Sequence, residues 1–261
     1  MQATDPHLRR YQVTTVLLSL LVVTLSGVCI TLAVTPTAPS ISRSNTIQTS
    51  SGGMPVLVIV GDSNTELGSN PDMMGYESML AHAYVRKADV INRGNSGWTT
   101  RSWLKALPAL MAEWTAKAPS LVLVFLGTND ACLKDGASAE IHVPLDEYRA
   151  NLQAIVSQIQ SPDRTPVLFV TPPAFDDTTT LKWDRTNADI GKYAAAMMDV
   201  GAQLKIPVVD LYTPLQTNVS SYFFDGLHLN RKGNVRVYDI LTAKIQVEFP
   251  SFAAHNLATL Y

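Results

Sequence analysis

The chain has 261 residues, 46% of them hydrophobic and 16% charged, enough apolar material to build the core of one large domain or two small ones. Setting aside Asp5, Arg9, Arg10 and Arg43 near the start leaves 17 basic and 21 acidic residues. That mildly acidic balance, with no long charge run, argues against nucleic acid as a partner.

The N-terminal region divides into three parts. From Val16 to Val34 the chain reads VLLSLLVVTLSGVCITLAV, and no charged residue occurs between Arg10 and Arg43. About 20 apolar residues suffice to cross a bilayer as a helix, whereas the apolar region of a cleavable signal is usually about 7–15 long. Residues 13–34 are therefore expected to form a transmembrane signal anchor. A cleaved signal peptide stays open, because Ser26, Gly27, Ala33 and Ala38 supply small residues near a cut. The basic pair Arg9 and Arg10 predicts that residues 1–12 are cytoplasmic. The rest of the chain is then lumenal or extracellular, or secreted if the segment is removed. Residues 35–53, TPTAPSISRSNTIQTSSGG, lack periodicity and read as a flexible stalk. Cys29 lies in the apolar run and Cys132 beyond the stalk, so no disulfide joins two parts of the domain that follows.

Residues 54–261 read as one domain. Short apolar runs at Pro55–Val60, Asp89–Asn92, Leu121–Leu126, Pro166–Val170 and Pro207–Leu211 alternate with helix-period segments near Tyr76–Lys87, Thr100–Lys117, Leu145–Ile159, Lys182–Leu204 and Lys232–Val247. Apolar strands separated by helices predict a parallel five-stranded sheet covered on both faces, a three-layer α/β/α domain. In a flavodoxin-like strand order, 2-1-3-4-5, the loops after the first three strands converge at the carboxyl edge, where ligands bind.

Each of those loops carries a distinctive group. Gly61-Asp62-Ser63 places a serine where the first strand breaks. Asn92-Arg93-Gly94-Asn95-Ser96-Gly97 is a glycine-punctuated turn whose backbone N–H groups can approach a ligand. Gly127-Thr128-Asn129-Asp130 offers a side-chain amide. Far downstream, Asp225-Gly226-Leu227-His228 adds an acid and a base three residues apart. Ser, Asp and His in this order are the components of a serine hydrolase. Alone, each has a plainer reading: Gly-Asp-Ser as a capped turn, and Asp225 as the N-cap of the last helix. Asp62, Asp130, Asp225 and His228 also invite a metal reading, but the remaining histidines fall in no ligand-like spacing. Arg93 and Arg101 are expected to pair locally rather than bind an anion, and Trp98 is close enough to the second loop to line a pocket. Asn218-Val219-Ser220 matches an N-glycosylation acceptor.

Taken together, these four ordered blocks resemble the SGNH hydrolase superfamily, the GDSL esterases and lipases, and within it the isoamyl acetate-hydrolyzing esterase group. The segments Cys132-Leu133-Lys134-Asp135, Val143-Pro144-Leu145-Asp146-Glu147-Tyr148 and Asp225 to Asn234 are also similar to that group, and the likeness spans about Val56 to Ile245. The resemblance implies that Ser63 is the nucleophile, Asp225 and His228 complete the triad, and Ser63, Gly94 and Asn129 donate to the oxyanion. Asn64 departs from the family's usual leucine or isoleucine, which puts local packing in question. The implied activity is hydrolysis of small carboxylic esters of short to medium acyl chain through an acyl-enzyme, with no metal or organic cofactor. Two other readings stay open: a glycan O-acetyltransferase or deacetylase using the same triad, and a binding protein that keeps the fold without turnover.

Overall fold

A computed structural model describes residues 53–161 and 163–260. The expected anchor at 13–34, and the stalk apart from Gly53, lie outside the described residues. Among the described residues no helix is long and apolar enough to cross a membrane.

Five parallel strands run in the order β2-β1-β3-β4-β5: β1 Val56–Gly61, β2 Asp89–Gly94, β3 Leu121–Phe125, β4 Val167–Val170 and β5 Val208–Val209. This is the flavodoxin-like order expected from the alternation of strands and helices. The cause is visible in β1, whose six residues are all buried. Val56, Val58 and Val60 face one core, while Leu57 and Ile59 face the other, the two-residue period of a strand covered on both sides. β3 repeats the pattern, with Val122 and Val124 on the first face and Leu121, Leu123 and Phe125 on the second.

The helices, in chain order, are α1 Ser63–Glu66, α2 Tyr76–Ala83, α3 Thr100–Ala112, α4 Leu145–Ile159, α5 Asn187–Leu204, α6 Tyr212–Gln216 and α7 Arg231–Glu248. Trp103 and Leu107 of α3, Leu152 and Ile155 of α4 and Met197 of α5 pack on the first face. Tyr76 and Leu80 of α2 and Val237, Leu241 and Ile245 of α7 cover the second. Burying each such side chain contributes about 1.5–3 kcal/mol relative to leaving it exposed.

Several boundaries differ from the sequence reading; α3 ends at Ala112 instead of Lys117, and β5 is confined to Val208–Val209. β2 continues through Arg93 and Gly94, because Gly94 pairs in register with Gly61 of β1. α2 stops at Ala83 instead of Lys87, where Tyr84 leaves helical geometry and Arg86 adopts a left-handed conformation at φ 62°. α5 starts at Asn187, not Lys182; the side chain of Thr186 accepts the Asp189 N–H at 3.0 Å as its N-cap, and Asp184 is left-handed at φ 49°. Residues 182–185 are thereby freed from the helix to enter the functional site.

Candidate active site

In-register pairing of β1, β2 and β3 brings Gly61, Gly94 and Phe125 to one level at the carboxyl edge of the sheet. Ser63 follows as the first residue of α1, with Asp62 as N-cap accepting the Asn64 N–H at 2.9 Å. The N–H of a first helical residue has no partner within its own helix, so the Ser63 N–H is left free next to its own hydroxyl.

Asp225 and His228 approach this serine from a loop before α7. His228 Nε2 lies 3.0 Å from Ser63 Oγ, and His228 Nδ1 lies 2.6 Å from Asp225 Oδ2. A carboxylate can only accept, so the ring proton sits on Nδ1 and the Nε2 lone pair faces the serine. Asp225 Oδ1 accepts the N–H groups of Leu227 at 2.9 Å and His228 at 2.7 Å, which fixes the carboxylate plane. Partial burial pushes the Asp225 carboxyl up, but the hydrogen bonds from the His228 ring and from the two N–H groups outweigh it and hold the group below the ordinary aspartate value. Asp225 is thus no helix cap; Asn230 caps α7 by accepting the Gly233 N–H at 3.0 Å.

Two aromatic rings flank the imidazole. Trp183 meets His228 edge-on with centroids 5.4 Å apart, and Phe224 stacks on it at 5.7 Å and 20°. The Trp183 indole N–H donates to Asp225 O at 3.0 Å, while Phe224 is 56% exposed. Neither ring was marked by the sequence pattern, since Trp183 fell inside an expected helix and Phe224 outside every motif.

Of the two loop donors expected on the far side of the site, Asn129 keeps an N–H free and Gly94 does not. The Gly94 N–H already donates to Asn92 Oδ1 at 2.8 Å. A Cβ at Gly94 would stand 2.1 Å from Glu66 N, so this glycine is needed for close packing of β2 against α1 and faces no open space. Gly97, three residues on, has φ +79° and no heavy atom within 4 Å of where a Cβ would stand. Among the described residues nothing accepts a hydrogen bond from its N–H. The motif held two glycines, and only the length of β2 decides which of them reaches the loop.

Asn129 is pinned on both ends. Its Nδ2 donates one proton to Trp98 O at 2.9 Å, and its Oδ1 accepts from Arg185 Nη2 at 2.5 Å. A second Nδ2 proton is left for a ligand. Arg185 also donates to Thr128 O at 2.7 Å and Trp183 O at 2.5 Å, tying the third loop to the segment that carries Trp183. Trp98 itself packs on Trp103 at 5.0 Å and serves the site through its carbonyl.

The remaining candidates resolve into structural roles. Arg93 pairs with Glu113 at 2.7 Å, and Arg101 with Glu147 at 2.5 Å. Among the described residues no group of three or more His, Cys, Asp or Glu side chains is arranged to hold a metal ion. Burial pushes the Cys132 thiol up to about 11, away from thiolate chemistry. Asn218 is exposed, at φ 58° on a turn, and lies in none of the hydrogen bonds of the site.

Near Ser63 lie two fully buried carboxyl groups, Asp62 and Asp130. Burial raises Asp62 to about 7 and Asp130 to about 6, against the pull of the Asn64 N–H on the first and of Thr100 on the second. Their Oδ2 atoms have no hydrogen-bond partner among the described residues, and a charged oxygen in that position costs more than a neutral one. An aspartate at about 3.9 when unfolded that is raised in the fold makes the native state bind more protons. The resulting stability is present at low pH and is lost as pH rises from about 4 to about 7. Asp62→Asn keeps the acceptor for Asn64 and removes the charge. Its melting temperature is expected to match wild type near about pH 4 and to exceed it increasingly up to about pH 7, levelling off above that, as thermal denaturation followed by circular dichroism will show; a gap independent of pH contradicts this titration.

Comparison with known proteins places the chain. The GDSL-like Lipase/Acylhydrolase family profile matches residues 59–236. An isoamyl acetate-hydrolyzing esterase 1 homolog from Mus musculus is 40% identical over 195 residues, covering 69% of this chain and 77% of that protein. A GDSL esterase/lipase from Arabidopsis thaliana is 35% identical over 219 residues, covering 77% and 89%. Among solved structures, the lipase/acylhydrolase from Enterococcus faecalis superposes with a TM-score of 0.60 at 24% identity over 80% of this chain and 100% of that one. The acetyl xylan esterase AlAXEase gives 0.61 at 21% identity over 73% and 99%; at such identities the superpositions speak for the fold. By profile and by relatives alike, the chain belongs to the GDSL-like lipase/acylhydrolase family of carboxylic ester hydrolases.

Proposed function

We propose that the protein is a serine esterase that hydrolyses carboxylic esters of short to medium acyl chain through an acyl-enzyme on Ser63. The observation that carries this reading is the continuous relay from Ser63 Oγ to His228 Nε2 at 3.0 Å and from His228 Nδ1 to Asp225 Oδ2 at 2.6 Å. As Ser63 Oγ bonds to the ester carbonyl carbon, His228 Nε2 takes the hydroxyl proton. Asp225 holds the tautomer and stabilises the imidazolium. The carbonyl electrons move onto oxygen, where the N–H groups of Ser63 and Gly97 and the free Nδ2 proton of Asn129 meet them. Collapse expels the alcohol with the proton from His228. Water, deprotonated by the same imidazole, then releases the acid and restores the serine.

Asn129→Ala removes a donor that matters most when the oxygen becomes charged. It is expected to lower kcat by about 10²–10³-fold with little change in KM, in steady-state hydrolysis of a nitrophenyl ester; an effect on KM alone contradicts the role.

A second reading, removal or transfer of acetyl groups on glycans, is favoured by acetyl xylan esterases among the structural neighbours and by the exposed Phe224 beside the imidazole, a surface on which a sugar ring can stack. The full-length chain in detergent, assayed on nitrophenyl esters of increasing acyl length and on acetylated xylo-oligosaccharides with Ser63→Ala as control, separates the readings. Turnover of simple esters that fades with acyl length supports the first; turnover confined to acetylated sugars, or dependent on a sugar acceptor, supports the second. Absence of any Ser63-dependent turnover supports a binding protein. The apolar run at 13–34 extends the proposal to a membrane tether, with the catalytic domain on the lumenal or extracellular side and Asn218 open to glycosylation there. Retention in carbonate-washed membranes tests the tether, and recovery of the chain in the medium indicates cleavage instead.

A further inference from the structure

The residue after Ser63, Asn64, is polar and yet only 1% exposed. Its side-chain amide reaches across more than 160 residues of sequence to the loop that carries the catalytic base. Nδ2 donates to Leu227 O at 3.4 Å, and Oδ1 accepts the Leu229 N–H at 3.2 Å. Those two backbone groups bracket His228. On its other side the same segment pairs with residues 222–224: Phe224 N–H donates to His228 O at 3.0 Å, Asn230 N–H donates to Tyr222 O at 2.9 Å, and Phe223 forms an antiparallel bridge with Leu229. The His228 segment therefore behaves as a short strand with one edge paired to backbone. At its free edge, the Asn64 amide offers one donor and one acceptor, as a peptide unit of a neighbouring strand does.

We infer that Asn64 is a positioning residue for acylation, locking the His228 loop onto the nucleophile turn so that Nε2 is held at proton-transfer distance from Ser63 Oγ. This rests on the Ser63 acyl-enzyme reading. The geometry permits little slack: Asn64 is covalently adjacent to Ser63, its own N–H is held by Asp62 Oδ1 at 2.9 Å, and its amide grips the residues on either side of the base. Leucine, close in volume, can supply neither bond. With Leu227 and Leu229 both 4% exposed, the freed carbonyl and N–H lack water, so the loop shifts to find partners and carries the imidazole with it.

The test uses the full chain with a fluorophosphonate probe and nitrophenyl acetate. Asn64→Leu is expected to slow phosphonylation of Ser63 and to lower kcat by about 10- to 100-fold, while KM changes by less than about twofold. Asn64→Ser, which can make one bond but not both, is expected to fall between wild type and Asn64→Leu, and carries the test if the leucine variant does not fold. Because the effect runs through the base, adding Asn64→Leu to His228→Ala is expected to cost nothing further in residual turnover. A lowered melting temperature with wild-type labelling rate below it, or an additive loss in the double variant, overturns the inference and leaves the serine mechanism standing. A wild-type chain that is not labelled at Ser63 overturns that mechanism itself, and this inference with it.

Discussion

Ser63→Ala and His228→Ala are each expected to lower kcat for ester hydrolysis by about 10⁴- to 10⁶-fold, and the double variant to be no worse than either alone. The reason is that the two side chains act as one unit. Serine Oγ is a weak nucleophile until its proton has somewhere to go, and among the described residues the base within reach is His228 Nε2 at 3.0 Å; the base in turn has nothing to activate once the hydroxyl is gone. Steady-state rates on a nitrophenyl ester, with folding checked by circular dichroism, measure this. Losses that multiply in the double variant mean that the two residues work independently and that the relay is not the source of the rate.

Asp225→Asn is expected to keep the fold and to lower kcat by about 10⁴-fold. Asp225 Oδ1 accepts two backbone N–H groups, from Leu227 and His228, and an asparagine preserves both bonds only by placing its oxygen there. Its NH₂ must then face His228 Nδ1. A donor at that position forces the ring proton onto Nε2, where the lone pair is needed for Ser63. Flipping the amide restores the tautomer but sets NH₂ against two N–H groups. The same carboxylate leaves a mark on stability. Its folded value lies below the unfolded one, so its contribution is present above about pH 4 and is lost as pH falls through the folded value. Asp225→Asn removes that acid-side loss, which distinguishes it from Asp62→Asn, whose effect grows from about pH 4 to about pH 7. Comparing rates and acid melts of the variant with wild type checks both halves; near-wild-type kcat contradicts the tautomer argument.

How much of this was legible in the sequence depends on how local the determining physics is. The central strands announced themselves because Val56–Val60 and Leu121–Phe125 are apolar on both faces, which only a doubly covered sheet tolerates. Leu145–Ile159 matched its helix at both ends. The end of α2 and the start of α5 were hidden, because Arg86 and Asp184 turn the chain in left-handed conformations that glycine usually signals. Ser63, Asn129, Asp225 and His228 were singled out from motif order, and hydrogen bonds join the first of them to the last two. Gly94 was singled out as well, but its register with Gly61 makes it the last residue of a strand, and strand length is set by the neighbouring chain. Arg185 and Asn64 could not be found in this way, for their partners are Thr128, Trp183 and Asn129 in one case and Leu227 and Leu229 in the other. Such contacts between distant segments have no periodicity to betray them.

Peptide mapping by mass spectrometry after reaction of the full chain with a fluorophosphonate tests the catalytic assignment most directly. A serine activated by the His228–Asp225 pair gives a single phosphonyl adduct on the peptide containing Gly61-Asp62-Ser63, formed in step with loss of esterase turnover and absent from Ser63→Ala. An adduct on another residue that accompanies the loss of turnover, or undiminished turnover with Ser63 fully modified, contradicts it.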